Sequence, residues 1–336
     1  MIATLYPLPQ TDLPPINESR RAMARPLPRI QPRPRGGPVL HAAPLADERV
    51  LSLNLTRGCV HRCAFCCARA YSSYPGDDVL ELFTDSAGQL ERELARLRQL
   101  PRAVYISPAT DPFPPFNAVQ YETARVVAVL AQHGIEAWLM TRGYIRPAIR
   151  GLLAEAADRV QVTFGLTTLA RSLRRVLEPL AAPTRLRLRQ IAQLRRAGLR
   201  VRVALEPLLP GVTDTRAQLA PLLEQLAKAG IHHVTAGYLF LRPGLEEYLL
   251  AQLRPLGWDA PLRAAYADSV MLSGGPLAAA RYLSKQRRQR GYAALMTLAA
   301  EYGITVGISS LTNPDFGSPR LAAPCSSQPL LPIFDR

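Results

Sequence analysis

Four of the five cysteines in this 336-residue chain fall between positions 59 and 67, in the run NLTRGCVHRCAFCC that begins at Asn54. The fifth, Cys325, stands alone near the C-terminus. That distribution does not suit a disulfide framework, and clustered thiols in a reducing compartment point to metal or redox chemistry. Cys59, Cys63 and Cys66 are spaced x3 then x2 on a loop directly after a strand, VLSLNLT from Val50. Three thiolates so placed can wrap one corner of an iron–sulfur cube. A four-iron cluster usually takes four cysteines, so a loop that supplies three leaves one iron open to a small molecule. Gly58 permits the backbone turn off the strand, and Phe65 is placed to shield the cluster. The loop admits a second reading, in which Cys59, His61, Cys63 and Cys66 ligate zinc tetrahedrally. Cys67 follows a ligand immediately and points elsewhere, either as a small buried residue or as a redox-active thiol.

The rest of the chain sets the scaffold. Residues 1–45 are rich in proline and arginine without apolar periodicity, which predicts a disordered basic arm. Its last ten residues read equally as an irregular strap over the fold. From residue 46 to 260, strands near VLSLNLT, AVYISPA, IEAWLMT, VQVTFGLTT, RVRVALEPLLPG and HHVTAGYLFL alternate with helical patterns. Gly198 and Gly230 close two of these helices. Short, largely apolar strands separated by helices predict a parallel sheet, and successive right-handed crossovers curl it. The fold class expected is α/β, a partial (β/α)6 TIM-type barrel. No G-x-G-x-x-G follows a strand, which disfavours a dinucleotide-binding fold. Residues 261–336 predict a C-terminal cap with a helix over Leu277–Glu301 that carries the cationic run KQRRQR. No apolar run reaches the ~18 residues of a membrane helix. The N-terminal stretch lacks the basic and apolar regions of a secretory signal, so a cytoplasmic address is expected.

The formal charge of +15 invites a nucleic-acid partner, since basic surfaces commonly neutralise phosphate. Of the 41 basic residues only Lys228 and Lys285 are lysine. Such arginine saturation also arises from GC-rich coding, which reduces the weight of the charge.

C-x3-C-x2-C with an aromatic before the last cysteine resembles the signature of the radical S-adenosylmethionine (SAM) superfamily. Further segments resemble its spore photoproduct lyase-like branch: VYISPATDPFPP with Thr110 and Asp111, LMTRG with Arg142, FGLTTL with Thr167 and Thr168, and ALEPLLPGVTD with Glu206. The resemblance runs in order from about residue 50 to 245. It implies a [4Fe–4S] cluster on Cys59, Cys63 and Cys66, with SAM chelating the open iron. The SAM-binding residues it implies are Phe65, Thr110, Asp111, Arg142, Thr167 and Thr168. Thr110 and Asp111 would receive the ammonium or ribose hydroxyls. Arg142, where the family usually has lysine, would fork onto the carboxylate, and a threonine would bond the same end. Asp-Pro pairs also make plain turns, and Glu206 can equally pair with a neighbouring arginine. The lyase carries a hydrogen-returning cysteine just before its strand-2 motif. The matching position here is Pro108, so repair of that photoproduct is not expected, and Tyr105, Cys67 or Cys325 would be alternative donors.

The activity so implied is reductive cleavage of SAM to a 5′-deoxyadenosyl radical that takes hydrogen from a substrate, with a flavodoxin- or ferredoxin-type reductant supplying the electron. The substrate reads as nucleic acid, with its base unstacked into the cavity, or as a peptide or small metabolite. A zinc- or cluster-stabilised nucleic-acid-binding module without catalysis is the reading from a different class.

Overall fold

The protein is described from a computed structural model that covers residues 27–43, 47–71, 73–274, 277–309 and 312–316. The first 26 residues of the basic arm, and Cys325, lie outside the described residues.

The core is one sheet whose parallel strands follow chain order. These are β1 (Val50–Leu53), β2 (Ala103–Ile106), β3 (Glu136–Thr141), β4 (Val160–Gly165), β5 (Arg200–Leu208) and β6 (His233–Tyr238). A seventh, β7 (Thr305–Ile308), pairs parallel with β6, and His41–Ala42 pairs antiparallel with β1. Among the described residues the two edges do not meet, so the barrel is open. The α/β expectation holds, with one more parallel strand than six.

Helices alternate with the strands on the outside: α1 (Ser86–Leu94), α2 (Asn117–Gln132), α3 (Pro147–Ala154), α4 (Arg171–Leu177), α5 (Thr184–Arg196) and α6 (Arg216–Lys228). Both α4 and α5 lie between β4 and β5. Period-2 alternation decides what each face does. Val104, Ile106, Leu139, Val162, Phe164, Val203, Leu205 and Val234 belong to the main hydrophobic cluster. The alternate positions run laterally as Ser52, Tyr105, Trp138 and Gln161, then Met140, Thr163 and Arg202. The strands are therefore not uniformly apolar: their inner face is polar, as suits a partial barrel that holds a ligand.

Three corrections concern the ends. Arg29–Arg33 is a strand, parallel to Val79–Phe83, which in turn pairs with Thr56–Arg57 at the entry to the cysteine loop. The arm therefore has regular structure here, because its backbone completes a sheet. Leu277–Tyr282 is also a strand, antiparallel to Val270–Gly274 and to Phe240–Leu241. Its alanines favour a helix, and ladder pairing overrides that preference. Between these strands come α7 (Leu245–Leu253) and α8 (Asp259–Ala265), and α9 (Lys285–Ala300) follows them.

Of the KQRRQR run that opens α9, only Arg288 is buried, against Asp315 and Asn313. At the surface Arg287 pairs with Asp268 and Lys285 donates to the Asp315 carbonyl. Part of the cationic run is therefore used to anchor residues 312–316, and Arg290 stays exposed.

Candidate active site

The cysteine loop leaves β1 through Gly58, whose φ is +80°. A Cβ there would sit 2.7 Å from the Val79 carbonyl oxygen, so the turn requires glycine. The loop is then fixed to the end of α4, where Ala64 N–H donates to the Leu177 carbonyl at 2.9 Å and Leu180 N–H to the His61 carbonyl at 3.3 Å.

Cys63 is buried, while Cys59 and Cys66 are half-buried free thiols. Burial pushes all three thiols up, and each of Cys59 and Cys63 also feels the charge of Cys66. Arg142 offsets this at Cys63 and Cys66. Such thiols stay protonated unless a metal takes the proton's place. Among the described residues no three His, Cys, Asp or Glu side chains are packed tightly enough for a single metal ion.

His61 does not complete a zinc set. Its Nε2 lies 3.0 Å from Asp111 Oδ2, and its Nδ1 faces the Leu180 carbonyl at 3.3 Å. Both ring nitrogens face these oxygens, so the donor set is three thiols beside a guanidinium. That set suits a cluster with one iron left open.

Asp111 is the hub of the first half of the barrel mouth. Oδ1 accepts from Phe113 N–H and Thr141 Oγ1, both at 2.8 Å. Oδ2 accepts from Arg142 N–H at 2.8 Å and faces His61. Burial alone would raise its pKa, yet His61 and the two backbone donors hold it below the usual carboxylate range. With four partners already in place, Asp111 ties the cysteine loop to β2 and β3, a different task from the ligand-receiving one expected.

Arg142 differs from expectation in the same way. Nη1 donates to Glu178 Oε1 at 2.5 Å, Nη2 to the Glu206 carbonyl, and the guanidinium lies 4.9 Å over the Phe65 ring. Gly165 makes room for it, since a Cβ there would lie 2.8 Å from Cζ. Glu178, 0% exposed, also pairs with the fully buried Arg187. Burial would raise Glu178, and Arg187 and Arg142 instead hold its pKa low. Two arginines share one carboxylate, so a positive charge remains next to the thiols.

Thr168 is also committed: it donates to Gln218 at 2.7 Å and accepts from Ala170 N–H at 2.9 Å. Thr110 Oγ1 and Thr167 Oγ1, by contrast, are buried without a partner among the described residues. Of the six side chains expected to contact SAM, these two hydroxyls and the Phe65 ring are the groups left available. Cys67 sits in a 3-10 turn, Cys67–Ala70, where it meets Tyr71 and Arg242. It stands outside the ligand set.

The far half of the mouth carries unpaired polar groups. Glu206 Oε1, Thr235 Oγ1 and Ser309 Oγ are buried without partners among the described residues. Register puts Thr235 beside Ala204 and Gly307, so these groups share the inner face with Glu206 and Ser309. Burial pushes the Glu206 carboxyl up to about 7, against the pull of Arg142. Tyr105, on the same inner face, feels the Glu206 charge and donates to Met140 Sδ at 3.4 Å. Thr235 and Ser309 were missed in the sequence, although alternation in HVTAGY marked Thr235 as inward-facing.

The radical SAM superfamily family model matches residues 53–223 of this chain. The chain belongs to the radical SAM superfamily. Enzymes of that superfamily use a [4Fe–4S] cluster and SAM as cofactors. An uncharacterised protein of Mycobacterium tuberculosis is 30% identical over 211 residues, 60% of this chain and 62% of that protein. The chain thus spans about three fifths of the length of these curated relatives. A radical SAM Nα-GlyT isomerase of Pseudomonas phage M6 is 26% identical over 200 residues, 59% of this chain and 41% of that one. Spore photoproduct lyase complexed with dinucleoside spore photoproduct matches with a TM-score of 0.66 at 10% identity, covering 83% of this chain and 82% of that one. That likeness is one of fold, the partial barrel of this superfamily. No helix among the described residues is long and apolar enough to cross a membrane.

Proposed function

We propose that this radical SAM enzyme acts on a nucleobase-bearing substrate, a nucleic acid or a piece of one, held against Glu206 inside the barrel. Cys59, Cys63 and Cys66 would hold the cluster, and Thr110 and Thr167 would bond the polar end of SAM. Together the reduced cluster and SAM supply a carbon radical strong enough to take hydrogen from an unactivated C–H bond. The protein's own residues do the rest. Asp111 and His61 fix the cysteine loop, Arg142 places positive charge beside the thiols, and Phe65 covers the cluster. A reducing, cytoplasmic setting suits these free thiols.

The observation that carries the substrate reading is the trio Glu206, Thr235 and Ser309. Buried polar groups are normally paired, so three unpaired ones on a single inner face call for a ligand that brings its own donors and acceptors. The edge of a base does so. Spore photoproduct lyase, whose fold this chain shares, takes a dinucleoside.

The test is SAM cleavage by the reconstituted enzyme under dithionite, with and without single-stranded oligonucleotides and nucleosides. Stimulated cleavage, together with a mass change in the nucleic-acid component, is expected. Equal cleavage with and without them, and stimulation by a peptide pool instead, would overturn the substrate reading and leave the enzyme class intact.

A further inference from the structure

The charge of this protein is concentrated in one place. Residues 159–205 hold eleven arginines and one acidic residue, Glu178. Glu178 is buried, and both its oxygens are taken by Arg142 and Arg187. The outward face of α4 and α5 therefore carries no carboxylate of its own. Arg171 and Arg175 on α4, and Arg185, Arg189 and Arg196 on α5, are exposed. None of the five has an ion pair or side-chain hydrogen bond among the described residues. On α5 the spacing i, i+4, i+11 sets its three arginines along one stripe. Arg174, between the two exposed arginines of α4, feels Arg187, Arg175 and Arg171 as like charges. Glu178 offsets part of this repulsion at Arg174, but the exposed arginines around it carry no counter-charge of their own and favour an anionic partner.

Position narrows the partner. The C-terminus of α4 and the turn that follows it are bonded to the cysteine loop, through Leu177 to Ala64 and Leu180 to His61. Cys63 is thus one residue and one hydrogen bond from α4, and Arg175 is two residues from Leu177. The arginine face looks away from the barrel interior, whereas Glu206, Thr235 and Ser309 look into it. A substrate that reacts inside the barrel has no need of this flank, but a protein that delivers electrons to the cysteine loop does.

We propose that the outward face of α4 and the first turn of α5, around Arg171, Arg175 and Arg185, is the docking surface for an acidic one-electron donor protein of the flavodoxin or ferredoxin type. The proposal rests on Cys59, Cys63 and Cys66 being the cluster ligands. In each encounter one electron leaves the donor's reduced flavin or iron–sulfur centre, which is oxidised by one electron, and the cluster is reduced by one. No atom is transferred. Complementary charge speeds such encounters by ~10- to 1,000-fold at low ionic strength and loses this advantage in salt.

The experiment compares wild type with the double variant Arg171→Glu/Arg175→Glu, both reconstituted without oxygen. Cluster bleaching is followed in stopped flow with fully reduced flavodoxin and, separately, with dithionite. Binding of a single-stranded oligonucleotide is measured in parallel, and Arg196→Glu serves as a charge-matched variant remote from the loop. The expected result is about tenfold or more slower bleaching by flavodoxin at low salt, a difference that shrinks in high salt. Dithionite bleaching, oligonucleotide binding and the Arg196→Glu rates should be unchanged. Flavodoxin rates equal to wild type would overturn the proposal, and weakened oligonucleotide binding alongside them would assign the face to nucleic acid. Slower bleaching by dithionite as well would show that the arginines support the cluster itself, which also overturns docking. A wild type that takes up no cluster would refute the cysteine-loop reading itself, an outcome distinct from loss of docking.

Discussion

Two glutamates lie within reach of Arg142 at the mouth of this barrel, and they are treated in opposite ways. Glu178, beside the cysteine loop, is gripped by two arginines, and its pKa is held low. Glu206, at the end of β5, has an unpaired oxygen, and burial pushes it up to about 7. The surroundings follow suit. Near Glu178, the side chains of Asp111, His61, Thr141 and Thr168 are bonded to the protein. Near Glu206, Thr235 and Ser309 are not. On the loop side most polar groups are committed, with Thr110 and Thr167 left for SAM, whereas the polar groups around Glu206 are complete only with something bound. A saturated polar network fixes geometry, while an unsatisfied one marks where a ligand supplies the missing partners.

The contrast fails if the two halves respond alike to substitution. The largest effect should come from Glu178→Ala, which leaves Arg187 buried without its counter-ion. Breaking a buried pair in this way costs about 3–5 kcal/mol, so denaturant unfolding should show a loss of that order. Asp111→Asn comes next. It weakens the contact with His61 and removes part of a four-partner hub, for about 1–3 kcal/mol, and should lower the iron bound per chain on reconstitution. Glu206→Gln should leave the unfolding midpoint at pH 6 little changed but slow substrate turnover about tenfold, the value of one lost hydrogen bond.

The pH dependence has opposite signs for the two glutamates. The contribution of Glu178 is present above its ordinary value of 4.5 and is lost as pH falls through its depressed folded value. That of Glu206 is present below 4.5 and is lost as pH rises towards about 7. Unfolding measured from pH 5 to 8 should therefore show a declining component that Glu206→Gln removes and Glu178→Gln does not. The smallest effect should be that of Arg216→Ala, which breaks the exposed bridge to Glu301, 2.7 Å long, and should not move the melting temperature measurably.

What the sequence made legible follows from locality. The order of strands and the glycines that end helices are set within a few residues, and each led to the right element. Asp111 and Arg142 were legible as residues of the site but not in their tasks. Those tasks are decided by His61, Glu178 and Arg187, tens of residues away and adjacent only after folding. The strand at Leu277–Tyr282 was hidden by alanine-rich composition, because its pairing with Val270–Gly274 is a tertiary fact. Arg288 read as part of a cationic patch, and only the fold shows that Asp315 neutralises it.

The account stands on Cys59, Cys63 and Cys66 acting together. The most direct measurement is anaerobic reconstitution of wild type with iron and sulfide, followed by assay of SAM cleavage under dithionite, with Cys59→Ala, Cys63→Ala and Cys66→Ala in parallel. The predicted result is a brown wild-type protein that yields 5′-deoxyadenosine, with both colour and cleavage lost in each variant. A colourless wild type carrying stoichiometric zinc and cleaving no SAM would contradict it.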